Sequence, residues 1–383
     1  MLSAITLLLG IAATAVGDTI NVRAGVPIWT SNVRLVRELT IGTLNGPEEY
    51  AFASIRGLAV ANDGSIYVLE GKPPVIRHYT GTGTFVQTLG RQGQGPGEFL
   101  NPEAIAISQN RLVVRDNRNQ RLVVFPLNGG PPDHWPYRTM AGSFQPMTVQ
   151  PNGSIAVPTQ VPVGREFVQV FFRYRPDGGL SDTVFAPRLA WTPLSLKVTM
   201  QGGAASYSIP YAPSPVWAVM RDGRFVGGVS DRYAILVVDS TKVWRIQRNV
   251  PPVPISHQER EESRVDILAR IRRNNNPDFT WDGSGMPAVK PFFNDILVDD
   301  DNRIWVRVAT ESIRHPPETR GATATYTSPA AYDVYDQQFR FLGTVRFSDT
   351  FQLRFAKGDL IWGSEDGEDG VPTVVRYRRV AQH

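Results

Sequence analysis

Short runs of valine, isoleucine, leucine and aromatic residues, separated by polar turns, recur along this chain. The recurring unit is an apolar run, a tight polar turn and a second apolar run, as in GLAVANDGSIYVLE around Asp63 and MTVQPNGSIAVPT around Asn152. Asn, Asp and Gly tolerate the positive φ that a tight reversal needs, and β-branched and aromatic residues favour half-buried strands. Each unit therefore predicts a β-hairpin.

The unit occurs six times, with turns centred at Asp63, Gln109, Asn152, Asp222, Asp301 and Lys357. The first three turns are 46 and 43 residues apart, the length of a four-stranded propeller blade, and the longer later intervals indicate insertions. A second apolar hairpin within the units, as in AILVVDSTKVWRIQ, supplies the other two strands. We predict an all-β, six-bladed β-propeller, because radial repetition leaves only short strand edges.

The two ends of the chain predict how the ring closes. After the hairpin at Lys357, only TVVRYRRV remains to form a strand, so the last blade lacks its outer strand. The segment 32–42, NVRLVRELTIG, precedes the first unit without a partner there. We expect it to complete the last blade, and residues 18–383 to form a single domain.

An insertion at about 251–290, between blades four and five, contains a predicted helix at 255–274. Ser256 would cap it and Glu259, three residues later, would complete a capping box. The apolar face is predicted from helical spacing to comprise Val265, Leu268 and Ile271.

This insertion must cross the face of the ring towards the channel mouth. Two interpretations stay open at this point. The segment is either a lid that uses Phe279 and Trp281, or a helix packed on the rim.

Residues 89–107, LGRQGQGPGEFLNPEAIAI, resemble the link between blades of NHL-repeat propellers. The stretch 113–125, VVRDNRNQRLVVF, resembles the second half of an NHL repeat. The residues in pattern there are Asp116, Asn119, Arg121 and Phe125. The resemblance is specific over 55–128 and looser elsewhere, and the whole chain resembles exported bacterial proteins described simply as six-bladed β-propellers.

The resemblance implies architecture far more than activity, since a fold does not fix function. NHL-type propellers include ligand-binding modules, protein-interaction platforms and a few lyases. Lactonase-like six-bladed propellers hold a metal in the central channel with acidic and Asn residues.

The composition and the absence of known motifs exclude or disfavour several classes of functional site. The chain has no cysteine, which excludes disulfides, thiolate metal sites and a cysteine nucleophile. Its 40 basic and 36 acidic residues are nearly balanced and form no basic stripe, which argues against nucleic acid as a partner. The five histidines show no HxH or HExxH spacing, and there is no GxSxG or phosphate-loop motif.

Residues 1–17, MLSAITLLLGIAATAVG, read as a secretory signal peptide. The apolar run is shorter than the roughly 20 residues that span a bilayer, and small residues follow it. No Lys or Arg precedes the run, so an uncleaved anchor also stays open. We expect an extracytoplasmic monomer, periplasmic or secreted, with no later membrane segment.

In a propeller, the first residues of each inner strand line the central channel. The candidates for a site there are Arg56, Glu103, Trp217, Asn294, Asp295 and Arg354, with Arg115, Asp116 and Arg118 at a neighbouring loop. Charged groups that face each other across a narrow channel perturb each other's pKa values, which marks a candidate site. The alternative is that these polar residues only fill the channel.

Acidic runs at 299–301 and 364–370 are candidates for calcium binding, because clustered carboxylates supply the oxygen ligands that calcium prefers. Both fall at predicted turns and neither has EF-hand spacing, so solvated turns are the preferred interpretation and no cofactor is assigned.

Three functional hypotheses follow. The first is non-enzymatic binding of a small ligand, peptide or glycan at the channel mouth. The second is a metal-dependent lyase or lactonase-like hydrolase, with a divalent metal on Glu103, Asn294 and Asp295. The third is a protein-interaction scaffold.

Overall fold

Six larger sheets are arranged around one axis. The computed structural model describes residues 18–29, 33–137, 139, 145–164, 166–200, 202–317, 324–367 and 369–380. The predicted signal segment 1–17 lies outside these residues. Each of the six sheets has four antiparallel strands in sequential order from the axis outwards, apart from additions by the N-terminal segment, and the described residues form three further two-stranded sheets. The chain is therefore a six-bladed propeller, as predicted.

Blades one and two are plain four-stranded sheets. Blade one comprises Ile55–Val60, Ile66–Glu70, Ile76–Tyr79 and Phe85–Leu89, and a short 3₁₀ helix, Glu48–Tyr50, precedes it. Blade two comprises Pro102–Ser108, Arg111–Asp116, Arg121–Pro126 and Asp133–Pro136. In the link between them, Arg91–Gln92 pairs in parallel with Glu98–Phe99.

Blades three and four are separated by an inserted hairpin, Ser195–Met200 with Gly203–Ser208. Blade three comprises Thr148–Val149, Ile155–Val163, Glu166–Tyr174 and Leu180–Phe185. Blade four comprises Pro215–Val219, Phe225–Val229, Ala234–Val238 and Lys242–Gln247. The segment Asp18–Arg23 adds a fifth, parallel strand to its outer edge, an addition that the sequence patterns did not predict.

Blades five and six complete the ring. Blade five comprises Phe293–Val298, Ile304–Val308, Ala331–Tyr335 and Phe341–Arg346, and carries a small hairpin of Ile313–His315 with Thr325–Thr327. Blade six comprises Gln352–Lys357, Leu360–Asp366, Pro372–Val380 and, from the N-terminal side, Arg34–Ile41. The last pairing is antiparallel and confirms the predicted closure.

Seven hairpin turns share one local hydrogen-bond pattern. An Asp or Asn side chain accepts a hydrogen bond, 2.7–3.1 Å long, from the backbone N–H two residues later. The residues that do so are Asp63, Asn152, Asp177, Asp222, Asp239, Asp299 and Asp336. Such Asx turns fix the reversal locally. At Gly64 and Gly223 the turn then needs φ of +89° and +91°, which glycine adopts without strain.

One α-helix, His257–Asn274, lies in the insertion between blades four and five. The Ser256 hydroxyl accepts from the Glu259 N–H at 3.1 Å, as predicted. The Glu259 carboxylate does not complete a capping box; it accepts from Tyr211 at 3.1 Å and from Ser312 at 2.5 Å. The side chain thereby ties the helix to its neighbours.

The face of this helix differs from the prediction. Ile267, Leu268 and Ile271 are buried, whereas Val265 is 42% exposed. The cause is the hairpin 195–208, because its Leu196 and Val198 pack against Ile267 and Ile271.

On the opposite side, Glu262 accepts hydrogen bonds from Arg314, at 2.7 Å, and from Tyr326 of the second hairpin. We refer to residues 195–200, 202–208, 257–286, 313–317 and 324–327 together as the cap.

Candidate ligand-binding channel

The inner strands enclose a cavity of about 920 Å³ on the axis of the ring. Every blade contributes residues to its wall. Ligand sites in proteins commonly have volumes of about 300–1,000 Å³. All inner strands run in the same direction, so the cavity has a near end, where they begin, and a far end, where they stop.

A one-residue β-bulge interrupts the start of four inner strands. The bulged residues are Arg56, Glu103, Asn294 and Arg354. A bulge leaves a residue unpaired and re-aims its side chain. Three of the four line the cavity, whereas Asn294 is exposed outside its wall and the next residue, Asp295, lines it instead.

Arg354 joins the first and last blades at the near end. Its guanidinium donates to the carbonyl oxygens of Ile55 and Arg56, both at 3.2 Å, and to the Gln352 side chain at 2.6 Å. The Arg56 side chain lies over Gly71, where a Cβ would come within 2.5 Å of the guanidinium Nε. Glycine at position 71 therefore makes room for Arg56.

The near-end charges act on one another. Burial raises the pKa of Asp295, and the nearby Arg307 and Arg354 oppose that rise. Burial lowers the pKa of Arg354, and the like charge of Arg56 lowers it further. Arg307 stands opposite Asp295 on the next strand of blade five. These four side chains therefore share one electrostatic field.

Glu103 and Arg115 form a buried pair on blade two. Arg115 Nε lies 3.6 Å from a Glu103 oxygen, and both side chains are at most 3% exposed. Arg115 also donates to the carbonyls of Pro158 at 3.0 Å and Gln145 at 3.2 Å. It thus stands behind the channel wall and braces blade two against blade three.

The near-end cluster, as we define it, comprises Arg56, Glu103, Arg115, Asp295, Arg307 and Arg354. In the cavity wall itself, two of these guanidinium groups, Arg56 and Arg354, lie with the two carboxylates, Glu103 and Asp295.

Two of the candidate site residues, Asp116 and Arg118, lie outside the cavity wall. Asp116 is fully buried and accepts from the N–H groups of Leu100 at 2.9 Å and Asn101 at 2.8 Å, and from Asn119 at 2.7 Å. Its carboxylate thus fixes the glycine-rich link, which explains its place in the repeat pattern. Arg118 is exposed, and neither residue belongs to the cavity wall.

The candidate lid residues lie in the cap. Phe279 and Trp281 pack beside the cluster around Ile267 and Ile271, and the Trp281 indole donates to the Ser284 carbonyl at 3.0 Å. Among the described residues, none of the cap lines the cavity. This placement fits a helix packed on the rim.

An apolar belt surrounds the cavity towards its far end, at or near the last residues of the inner strands. Each blade supplies one member: Val60, Ile107, Val149, Val219, Val298 and Phe355. Trp217, a sequence candidate, lines the wall at 3% exposure and packs on Phe225. Sequence reasoning missed this belt, and it also missed Gln145 and Gln352 of the wall and Arg307 behind Asp295. The available signal for Arg307 was a charge inside the apolar strand IWVRV.

The far end carries matched charges. Asp300 pairs with Arg221 and, at 2.9 Å, with Lys357, and Asp299 pairs with Arg303 at 2.6 Å. We refer to these as the far-end pairs. The run 299–301 is therefore already occupied by cations, and Glu365 of the second acidic run accepts from Arg37 and Tyr377.

The carboxylates do not fit a divalent metal centre. Glu103 is beside Arg115, Asp295 is beside Arg307 and Arg354, and Asn294 is outside the wall. Within the described part of the chain, no three His, Asp or Glu side chains come together to hold a metal ion. A metal on Glu103, Asn294 and Asp295 would require rearrangement of the near-end cluster.

The family comparison agrees with this architecture. Residues 41–133 match a family described as "6-bladed beta-propeller". The class of the protein is therefore a six-bladed β-propeller. No curated protein matches the sequence.

Among solved structures, a member of the DUF4221 family from Bacteroides vulgatus shares 12% identity at a TM-score of 0.53, with 91% of this chain and 99% of that chain covered. Virginiamycin B lyase from Staphylococcus aureus shares 11% identity at a TM-score of 0.43, with 91% and 100% covered. Regucalcin, a calcium-binding protein from Agrobacterium tumefaciens, shares 11% identity at a TM-score of 0.40, with 88% and 94% covered. At such identities the likeness concerns the fold alone. No helix in the described residues is long and apolar enough to cross a membrane.

Proposed function

We propose that this chain is an exported, non-enzymatic binding protein that holds a small organic ligand in its central channel. The observation that carries the proposal is the cavity itself. It combines a ligand-sized volume, a charged near end and an apolar belt. Binding sites typically combine an apolar wall with a few polar groups that orient the ligand.

Export rests on the sequence of residues 1–17 and on the absence of cysteine. Non-enzymatic binding rests on the pairing of the channel carboxylates with arginines, which leaves neither placed as an evident base or metal ligand. A divalent metal retained at one equivalent through purification would contradict this part of the proposal.

The test is a crystallographic fragment screen with neutral, anionic and cationic fragments in equal number. We expect bound fragments to concentrate in the channel of the native protein. A matched pair of variants then checks the location: Val60→Trp fills the belt, and Val86→Trp adds the same ring at a 47% exposed position of blade one.

Fragments should disappear from the channel in Val60→Trp and remain in Val86→Trp. A screen with no fragment in the native channel would overturn the proposal.

A further inference from the structure

We infer that the ligand is an uncharged carbohydrate, and that one of its sugar rings lies at the far end of the cavity, on blades one to three. This inference rests on the proposed function and specifies the ligand of that site. Four amide side chains of the cavity wall and the apolar residues beside them carry it.

The far end of the wall carries two kinds of polar group. On blades four to six, the far-end pairs match carboxylates with arginine and lysine. On blades one to three, the turns that follow the inner strands place four amides in the wall: Asn62, Gln109, Asn110 and Gln150. We refer to these four as the amide rim. The carboxylate of Asp63, beside the rim, accepts from the Ser65 N–H at 2.9 Å within its own turn.

The fold makes room for two of these amides. Gln109 adopts a φ of +53°, and its Nε2 lies 2.7 Å from the position that a Cβ of residue 153 would take. The Nε2 of Gln150 lies 3.3 Å from the corresponding position at residue 223. Both positions are glycine, and a larger residue would displace or crowd the amide of the preceding blade. Within the described part of the chain, neither amide has a side-chain hydrogen bond, so both have capacity for a ligand.

Amide groups match hydroxyl groups better than they match ions. Each amide offers two N–H donors and a carbonyl acceptor, and each hydroxyl both donates and accepts. A cation would leave the N–H groups without an acceptor, and an anion would leave the carbonyl oxygens without a donor. An arc of four amides therefore favours an uncharged ligand with several hydroxyl groups.

The apolar residues next to the rim assign the sugar ring. Val60, Ile107 and Val149 of the belt precede the amides by one or two residues on the same three blades. Tyr67 and Leu127 extend this apolar wall on blades one and two. A sugar ring carries hydroxyl groups around its edge and C–H groups on its faces. Its edge therefore contacts the rim while one face packs on the belt, which is the usual combination of an apolar wall with a few placed polar groups.

The experiment compares ring compounds of similar size by isothermal titration and by crystal soaks of the full mature chain. The probes are the methyl glycosides of glucose, galactose and mannose, with their uronate and 2-amino-2-deoxy counterparts at a pH that keeps the amines charged. Tetrahydropyran-2-methanol is the probe that keeps the ring but only one hydroxyl. We expect at least one neutral glycoside to bind at the amide rim, roughly fivefold or more tightly than its charged counterparts and than tetrahydropyran-2-methanol.

Each comparison tests one part of the assignment. A charged counterpart that binds at the rim as tightly would overturn the uncharged ligand, and equal affinity for tetrahydropyran-2-methanol would overturn the role of the hydroxyl groups. Absence of every glycoside from the rim would overturn the inference as a whole.

The position is tested with Gln109→Met and Gln150→Met, against Gln120→Met. Gln120 lies on the same blade as Gln109 and has a similar φ, +51°, but it is exposed at the near end and lies outside the wall. Loss of one amide should weaken the best glycoside about three- to tenfold in each rim variant, and Gln120→Met should not change its affinity. Native-like circular dichroism is required of each variant, and Gln150→Met serves if Gln109→Met does not fold.

Unchanged glycoside affinity in both folded rim variants would overturn the inference. The failures remain separable. If channel fragments are found but no glycoside binds, the ligand class is wrong and the binding function stands. If nothing enters the channel, the proposed function fails first.

Discussion

The two ends of the channel use the same residue types in opposite ways. At the far end, aspartates and basic residues are matched, and Asp299 and Asp300 each contact their cations directly. At the near end, Arg56 and Arg354 lie in the cavity wall with Glu103 and Asp295, and Arg307 stands opposite Asp295 on the next strand. The far-end groups sit in regular hairpin turns, whereas Arg56 and Arg354 sit at bulges.

The contrast between charges in hairpin turns and charges at bulges separates residues that stabilise the fold from residues that could form a binding site. Charges that are paired within a turn, as in Asp299–Arg303, or between the turns of neighbouring blades, as in Asp300 with Arg221 and Lys357, stabilise those turns. Charges that a bulge directs into a cavity lie where a ligand can contact them. The comparison predicts that substitutions in the far-end pairs change stability, whereas near-end substitutions change binding.

The largest effect is expected for Asp299→Ala. The carboxylate accepts from the Trp305 indole at 2.7 Å, Arg303 Nε at 2.6 Å and two backbone N–H groups, and Asp299 is 3% exposed. Its removal leaves the buried Trp305 indole and two backbone N–H groups without their acceptor and leaves Arg303 with Asp301 alone, at 3.0 Å. The free energy of unfolding should therefore fall by about 3 kcal/mol. Urea denaturation measures this change.

Asp177→Ala is the matched control for that prediction. Asp177 forms the same kind of Asx turn, with the Gly179 N–H at 2.8 Å, but its side chain is 66% exposed. The loss there should be much smaller than at Asp299, because water replaces the lost acceptor at an exposed turn. Equal losses in the two variants would show that burial of the far-end carboxylate is not what stabilises the turn.

A moderate effect is expected from the titration of Asp295. Because its pKa is raised, the residue becomes neutral at a higher pH than an ordinary aspartate. Ionised Asp295 repels an anionic probe in the channel and neutralises part of the charge of Arg307 and Arg354. The affinity for decyl sulfate, which stays charged, should therefore rise roughly three- to tenfold as the pH falls through that raised pKa.

Asp295→Asn checks the assignment and keeps a side-chain oxygen for the Ile296 N–H. The variant should bind decyl sulfate at neutral pH as tightly as the native protein does in acid, with a flat pH profile. It should also lose little stability at neutral pH. A group whose pKa is raised on folding stabilises the fold below its unfolded pKa, and this contribution is lost as the pH rises past the folded value. A pH profile unchanged by the substitution would assign the titration to another group.

The architecture was predictable because the repeated hairpin is a local signal. The turns at Asp63, Asn152 and Asp222 encode their own reversals, and the unpaired segment 32–42 could be matched to a blade that lacked a strand. The parallel strand Asp18–Arg23 carries no such signal, since its partner is more than 200 residues away. The face of the helix was partly mistaken because a distant hairpin, 195–208, decides which side is buried.

The site was only partly predictable. The expectation that the first residues of each inner strand line the channel correctly identified five residues of the cavity wall: Arg56, Glu103, Trp217, Asp295 and Arg354. A single-residue bulge shifts the alternation of side chains, which explains why Asn294 is outside the wall while its neighbour is inside. Arg307 reaches the near end only through pairing between strands, which the linear sequence does not display.

The smallest effect is expected for Lys357→Ala, and it is the sharpest check of the comparison. Lys357 is half-exposed and lies 2.9 Å from Asp300, which keeps Arg221 as a second partner. Exposed ion pairs contribute roughly 0–1 kcal/mol, so the stability should fall by less than about 0.5 kcal/mol. The affinity for an anionic probe such as decanoate should stay within twofold if the probe binds at the near end, because the far end is more than one Debye length away, about 8 Å at physiological salt. Arg56→Gln removes the same unit of charge from the near end and should weaken decanoate about tenfold. If the two variants weakened decanoate equally, the channel would respond to net charge alone, and the bulged arginines would have no special role.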